Sequence, residues 1–216
     1  MSRIIHGIRP TLGLALAVTL VVAFIGTAVG LFSVVIPRLD GLLMRITDCF
    51  FAFPPIVLIL VAVNILGPGM ISLAVALSLP GWPKYARVAR SVALSLKERT
   101  FVQAAEALGA GRGYILRRYY LPAVLAPVLT VATIGVGGKI VYIAGMGVLG
   151  LGVQPPVPEW GSLLCNGLPL LSVAPHISLC SGAAIVLASA AFTLSGEGFR
   201  DFFDPKGKEV EMAWRI

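Results

Sequence analysis

TLGLALAVTLVVAFIGTAVGLFSVV, residues 11–35, decides the fold. These 25 residues carry no charge, and about 20 apolar residues in a helix suffice to cross a bilayer. The run is one of several. Residues 49–83, 119–138 and 160–196 are also free of charge. The 49–83 run is too long for one helix, and Asn64-Ile-Leu-Gly67-Pro68-Gly69 interrupts it, because Gly and Pro together break helices. The spans predicted are 11–35, 45–64, 70–90, a fourth from Leu121-Pro122 onward, and Ile177–Ser195. Gly145–Leu168 is apolar but crowded with Gly145, Gly147, Gly150, Gly152, Pro155, Pro156 and Pro158. It reads as a re-entrant or interfacial segment, since non-helical backbone at membrane depth survives only where it is shielded. The expected fold class is all-α, a polytopic membrane helix bundle of about five spans in a single domain over residues 1–216.

Composition agrees. Of 216 residues, 57% are hydrophobic and 12% charged, against about 25% charged in a soluble domain. Disorder is excluded by the same numbers. The net charge of +7 would raise the question of nucleic acid in a soluble chain. Here the charges sit between apolar runs, so they report topology and no nucleic-acid partner is expected. Residues 84–118, 200–216 and 36–46 hold 14 of the 17 Lys and Arg, and residues 140–199 hold none. By the positive-inside rule these three segments, including the tail 197–216 and the C-terminus, are cytoplasmic, and 140–176 faces outside. Five spans then leave Arg3 and Arg9 outside, against the rule. A further helix upstream, or one supplied by a partner, would remove the conflict.

The 84–121 segment carries the most information. Ala89, Val92, Ala93 and Leu96 continue a helix out of the membrane. Thr100 and Gln103 have the spacing of a capping box, which predicts a short helix Phe101–Leu108 ended by Gly109 as a C′ glycine. A second basic helix leads to Pro122. A short helix with Ala104, Ala105 and Ala107 would be marginal alone in water, so it is expected to dock on another protein. From composition alone a purely topogenic loop is the plainer reading.

Gln103-Ala104-Ala105, Gly109 and Leu121-Pro122 resemble, at matching spacing, the EAA loop of ABC importer permeases. Gln103 stands for the usual Glu and Tyr119 for the usual Ile. Ser2-Arg3-Ile-Ile-His-Gly7-Ile-Arg9, Met44-Arg45-Ile-Thr-Asp48, Ala144-Gly145-Met-Gly-Val-Leu-Gly150-Leu-Gly152 and Pro158-Glu159-Trp160-Gly161 resemble the second permease of dipeptide, oligopeptide and nickel importers. The resemblance covers nearly the whole chain. It implies a multi-pass inner-membrane protein of bacteria or archaea that pairs with a second permease. It implies as well that two cytoplasmic ABC ATPases and an extracytoplasmic binding protein complete the importer. It also implies that family members carry a helix before the Ser2-Arg3 stretch, that the EAA helix couples to an ATPase, and that ATP and Mg are bound by the ATPases, with no cofactor in this chain.

Other motifs are weaker. Gly138-Lys139 is followed by Ile140, so no phosphate-binding loop forms. No GxSxG or HExxH occurs, and a catalytic residue is not expected. His6 and His176 are the only histidines, and no resident metal site is expected. Met146 and His176 could touch a metal in transit, or His176 could be an interfacial residue. Cys165 and Cys180 could pair, but their spacing does not demand it. Lys139 lies deep in the fourth span. It either faces the translocation path, where it could meet a peptide carboxylate, or snorkels to the interface. Asp48 is expected to pair with Arg45 at i, i+3. Gly26 and Gly30 mark a close helix contact, within the bundle or between chains. Glu159 and Trp160 could meet the binding protein or cap the re-entrant segment. An intramembrane enzyme built on Lys139 or His176 and a non-transporting scaffold are the alternative functions.

Overall fold

The computed structural model describes residues 2–203. Lys206, Lys208 and Arg215 of the expected tail lie outside the described residues. Every regular element among those described is helical. The α-helices are α1 (Ser2–Val35), α2 (Pro37–Ala52), α3 (Pro55–Leu66), α4 (Met70–Ser78) and α5 (Trp82–Lys97). They continue with α6 (Thr100–Ala107), α7 (Arg112–Ile115), α8 (Leu121–Val148), α9 (Trp160–Gly167) and α10 (His176–Phe203).

Among the described residues, three helices are long and apolar enough to cross a membrane: Ser2–Val35, Arg112–Val148 and His176–Asp201. The pair α2 and α3 makes a fourth if its 89° bend is taken within one span. The expected span 45–64 straddles that bend. Phe53-Pro54-Pro55 causes it: a residue before proline is pushed out of the helical region, and Phe53 sits at φ −101°, ψ 139°. The expected span 70–90 is likewise two helices, α4 and α5, separated at Leu79-Pro80-Gly81.

Helix α1 is the axis of one half of the bundle. Helices α4 and α5 pack along it. A Cβ on Gly26 would meet the backbone of Trp82 and the side chain of Tyr85, and one on Gly30 the backbone of Ala86 and the side chain of Ala89. The Gly26/Gly30 pair therefore serves packing within the chain. Residues 84–90, counted with the cytoplasmic segment by charge, lie along this apolar part of α1. The other half is α8 against α10, with Gly137 beside Ser189 and Thr193, and Gly196 beside Ile134. The Ser189 hydroxyl donates to the Gly137 carbonyl at 3.0 Å.

Helix α8 runs on to Val148, so Gly145 and Gly147 are helical and the irregular segment starts only at Leu149. Close approach is what the glycine at 161 serves, since a Cβ there would strike the backbone of Ala144. The short helix α9 folds back against α8 and α10 at the end of the bundle that also holds the start of α1. Large apolar side chains such as Ile71 (82% exposed) and Phe24 (78% exposed) point outward, as lipid- or subunit-facing surfaces do. All three cysteines are free thiols.

Candidate coupling helix and translocation path

The opposite end of the bundle gathers the ends of α1 and α5 with α6 and α7. Helix α6 begins one residue earlier than the capping-box reading: Arg99 is its N-cap, and no side chain caps it. The Val102 and Gln103 N–H groups donate to the Arg99 carbonyl at 3.0 and 3.2 Å. Thr100 is thereby already helical, and its hydroxyl cannot act as the cap. The C-terminus matches the expectation. Gly109 has φ +86°, its N–H donates to Glu106 O at 2.9 Å, and the Ala110 N–H donates to Ala105 O at 3.0 Å. That pair of bonds is a Schellman motif, which favours glycine at the left-handed position.

Val102 is fully buried and anchors α6 to the bundle, whereas Leu108 is 89% exposed. Gln103, Ala104 and Ala107 are exposed with it, and Ala105 is half-buried. The face open to a partner is thus Gln103, Ala104, Ala107 and Leu108. The ring of Phe101 lies 5.6 Å from that of Tyr119, and Tyr119 lies 6.2 Å from Tyr114. These aromatics join α6 to the second half of the motif. A cavity of about 250 Å³ lies behind α6, lined by Val34, Pro37, Lys97, Glu106, Arg112 and Tyr120.

The expected second basic helix is α7, and a single π-helical turn, Leu116–Tyr120, joins it without interruption to α8. The Leu121 N–H donates to Leu116 O. This wider turn takes up the disturbance of Pro122, which lacks an N–H and would clash with the carbonyl four residues back in an α-helix. Leu121 and Pro122 are both exposed.

Deeper in the bundle, Lys139 is only 8% exposed. Its Nζ lies 5.8 Å from the centre of the Tyr85 ring. It therefore faces the bundle interior and does not snorkel. Met146 is completely buried in the core. His176 opens α10 and lines a cavity of about 440 Å³ with Ser2, Arg3, Asn166 and Cys180. Among the described residues no group of three His, Cys, Asp or Glu could hold a metal.

Two contacts escape the sequence reading. Asp48 pairs with Arg87 at 2.6 Å, not with Arg45, and the Arg87 guanidinium stacks 4.0 Å from the Phe51 ring. Asp40 takes both Nε and Nη2 of Arg90. Asp40 and Asp48 share a face of α2, and Arg87 and Arg90 share a face of α5, a pattern legible once the two helices are known to meet. At the other end, Glu159 is fully buried and caps α9, accepting from the Gly161 and Ser162 N–H groups at 2.7 and 2.9 Å. Burial pushes its carboxyl up, and those two donors oppose the shift. Trp160 is buried too, with its indole N–H donating to the Ile4 carbonyl at 2.9 Å. Neither side chain is presented to a binding protein, and the capping reading is the one that fits.

Residues 26–208 match the family of the binding-protein-dependent transport system inner membrane component. The chain is 38% identical over 208 residues to the glutathione transport system permease protein GsiD of Pectobacterium atrosepticum, covering 96% of this chain and 69% of that protein. It is 38% identical over 208 residues to the dipeptide transport system permease protein DppC of Alkalihalophilus pseudofirmus, covering 96% and 68%. Among solved structures, the inward-facing MetNI methionine ABC transporter matches with a TM-score of 0.73 at 21% identity, over 93% of this chain and 96% of that one. The chain belongs to the binding-protein-dependent inner-membrane permease family. It is a permease of an ABC importer of the peptide type.

Proposed function

We propose that the chain, paired with a second permease, forms the path by which small peptides enter the cell, driven by two separate ABC ATPases that bind ATP and Mg. The single observation that carries the coupling role is the short helix α6, held by Val102 and ended by Gly109, with Gln103, Ala104, Ala107 and Leu108 open to a partner. Its aromatic link to Tyr119 supports assigning Gln103, Ala104, Ala105, Gly109, Leu121 and Pro122 to one coupling loop spanning 84–121. The charged ends of α5 and α10 support a cytoplasmic position for this loop and for the C-terminal segment 197–216. A binding protein delivers substrate at the opposite end, around α9. Lys139, a cation inside the bundle, is the residue of α8 assigned to the translocation path.

Peptides are favoured as cargo because the relatives above are named for glutathione and dipeptide transport; nickel is named by neither. Reconstitution of the complete complex in liposomes tests the reading. ATP-dependent uptake of a tripeptide that requires this subunit is the expected result, and a complex that hydrolyses ATP without moving peptide would overturn it.

A further inference from the structure

The cavity of about 250 Å³ behind α6 draws its lining from several elements. Val34 comes from the end of α1, Lys97 is the last residue of α5, Glu106 lies on α6, Arg112 and Ile115 bound α7, and Tyr120 ends the π-turn. Val102 and Glu106 are four residues apart and so share a face of α6. That face is turned to the bundle, away from Gln103, Ala104, Ala107 and Leu108. A ligand in the cavity and a partner on the open face therefore use different side chains.

Charges of both signs line this one small space, yet none of them pairs. The ion pairs among the described residues are Asp40–Arg90 and Asp48–Arg87, and neither involves Lys97, Glu106 or Arg112. Tyr120 is only 3% exposed, and a buried tyrosine hydroxyl ordinarily finds a partner. This one makes no hydrogen bond among the described residues, nor is it sealed from the cavity it borders. Lys97, Glu106 and Arg112 are exposed, so solutes at this end of the bundle reach the cavity directly. Two cations and one carboxylate suit a ligand with one anionic and one cationic group. Arginine offers its planar fork to a carboxylate and lysine a point charge, and Glu106 accepts from an ammonium. Val34 and Ile115 suit an apolar side chain. The volume lies below the ~300–1,000 Å³ of drug-sized sites, which keeps the ligand small.

We propose that this cavity binds a small apolar zwitterion, an amino acid or a dipeptide, and that its occupancy restrains the coupling helix. The inference rests on the reading of this end as cytoplasmic, the side on which imported peptide arrives. The ligand joins Glu106 of α6 to Lys97 of α5 and Arg112 of α7. A ligand that favours one arrangement of α6 slows any cycle that has to leave it. Import then falls as its product accumulates.

The test uses the full complex in liposomes, with ATP enclosed on the ATPase side and binding protein and trialanine outside. L-Leucine or dileucine is enclosed with the ATP, and uptake is divided by uptake without it, separately for each variant, so altered basal uptake cancels. At least one of the two is expected to lower uptake about fivefold or more, the low end of typical coupling between sites. Leucinamide, which lacks the carboxylate, and N-acetylleucine, which lacks the ammonium, should need at least about tenfold higher concentrations, as when a charged group loses its partner. Lys97→Met, Glu106→Gln and Arg112→Met should each weaken the inhibition by leucine or dileucine about as much. The analogue series needs no variant and stands whether or not a variant assembles. Equal inhibition by N-acetylleucine or by enclosed inorganic phosphate overturns the zwitterion in favour of a simple anion site. Unchanged inhibition in all three variants overturns the site. So does normal uptake at up to about 10 mM of either ligand, past the usual range of substrate affinities, and it leaves the transport reading standing. Failure of the unmodified complex to take up trialanine overturns the transport reading, and calorimetric titration of both ligands into the solubilised complex then decides the site. Binding lost in Lys97→Met upholds it, and binding absent or unchanged overturns it.

Discussion

Asp40 and Arg90, 50 residues apart in the chain, meet in a two-pronged ion pair, with Nε and Nη2 of the arginine each 2.7 Å from a carboxylate oxygen. The pair is about one-third exposed, whereas Asp48 and Arg87 are more than half exposed. Together they fix α2 across α5.

The two pairs differ in worth. Asp40→Asn removes a half-buried, bidentate, charge-assisted contact and is expected to cost about 1–2 kcal/mol. Asp48→Asn is expected to cost less than about 1 kcal/mol, as exposed pairs do. Thermal midpoints of the detergent-solubilised complex, read through double-mutant cycles with Arg90→Gln and Arg87→Gln, check the order. Equal effects would refute the ranking.

Gly109→Asp places a side chain at φ +86°, a backbone conformation that costs an L-residue roughly 1–2 kcal/mol, and adds a charge beside the exposed face of α6. Insertion should survive, since the change lies outside the spans. Peptide uptake should drop about tenfold or more, and the ATPases should dissociate during purification, as loss of an interface anchor produces. Ala104→Glu should do the same without backbone strain. Normal uptake with ATPases still bound would reduce the loop to a topogenic segment.

Gly26→Leu drives a side chain into the backbone of Trp82, and Gly30→Leu into that of Ala86. Backbone cannot yield as a flexible side chain does, so each change should cost several times the ~1–3 kcal/mol typical of overpacking and abolish stable expression. Gly13→Ala, where a Cβ meets open space, is the matched control and should express normally. Similar yields for all three would show that α5 does not pack there.

Glu159→Ala strips the N-cap from α9 and leaves the buried Gly161 N–H and the part-buried Ser162 N–H unpaired, an expected loss of about 1–3 kcal/mol. Glu159→Gln keeps an acceptor and should lose less. Proteolysis of the 149–175 segment in the assembled complex measures it, and equal resistance in the alanine variant would contradict the capping role.

For topology, single cysteines at Leu108 and Val173, 89% and 83% exposed, are placed in a cysteine-free background. A membrane-impermeant maleimide should reach position 108 only from the cytoplasm and position 173 only from outside. The reverse pattern would invert the proposed orientation.

The bundle was legible because apolar runs and charge asymmetry report the bilayer directly. Gly109 was legible as well, since a helix stop that needs positive φ leaves a glycine in the sequence. The breaks at Phe53-Pro54 and Leu79-Pro80 were not, because hydropathy averages across a bend. Thr100 misled for a local reason: Thr serves equally at N-cap and N1, and the Arg99 carbonyl took the first bonds. Asp48 misled because its true partner, Arg87, is distant in sequence, and helical spacing offers only Arg45. Lys139 announced itself as a lone charge at depth, but its partner Tyr85 could be found only after folding.

The π-turn at Leu116–Tyr120 lets one unbroken helix run from Arg112 to Val148, about 55 Å at 1.5 Å per residue. Such a rod acts as a lever. A tilt of about 5° at its Arg112 end carries the far end sideways by ~5 Å over that length. The far end is where Gly147 lies against Glu159 and Ser162 at the start of α9. Kinks in long helices fall at prolines and π-bulges, so any bending of this rod would concentrate at Leu116–Pro122, beside α6.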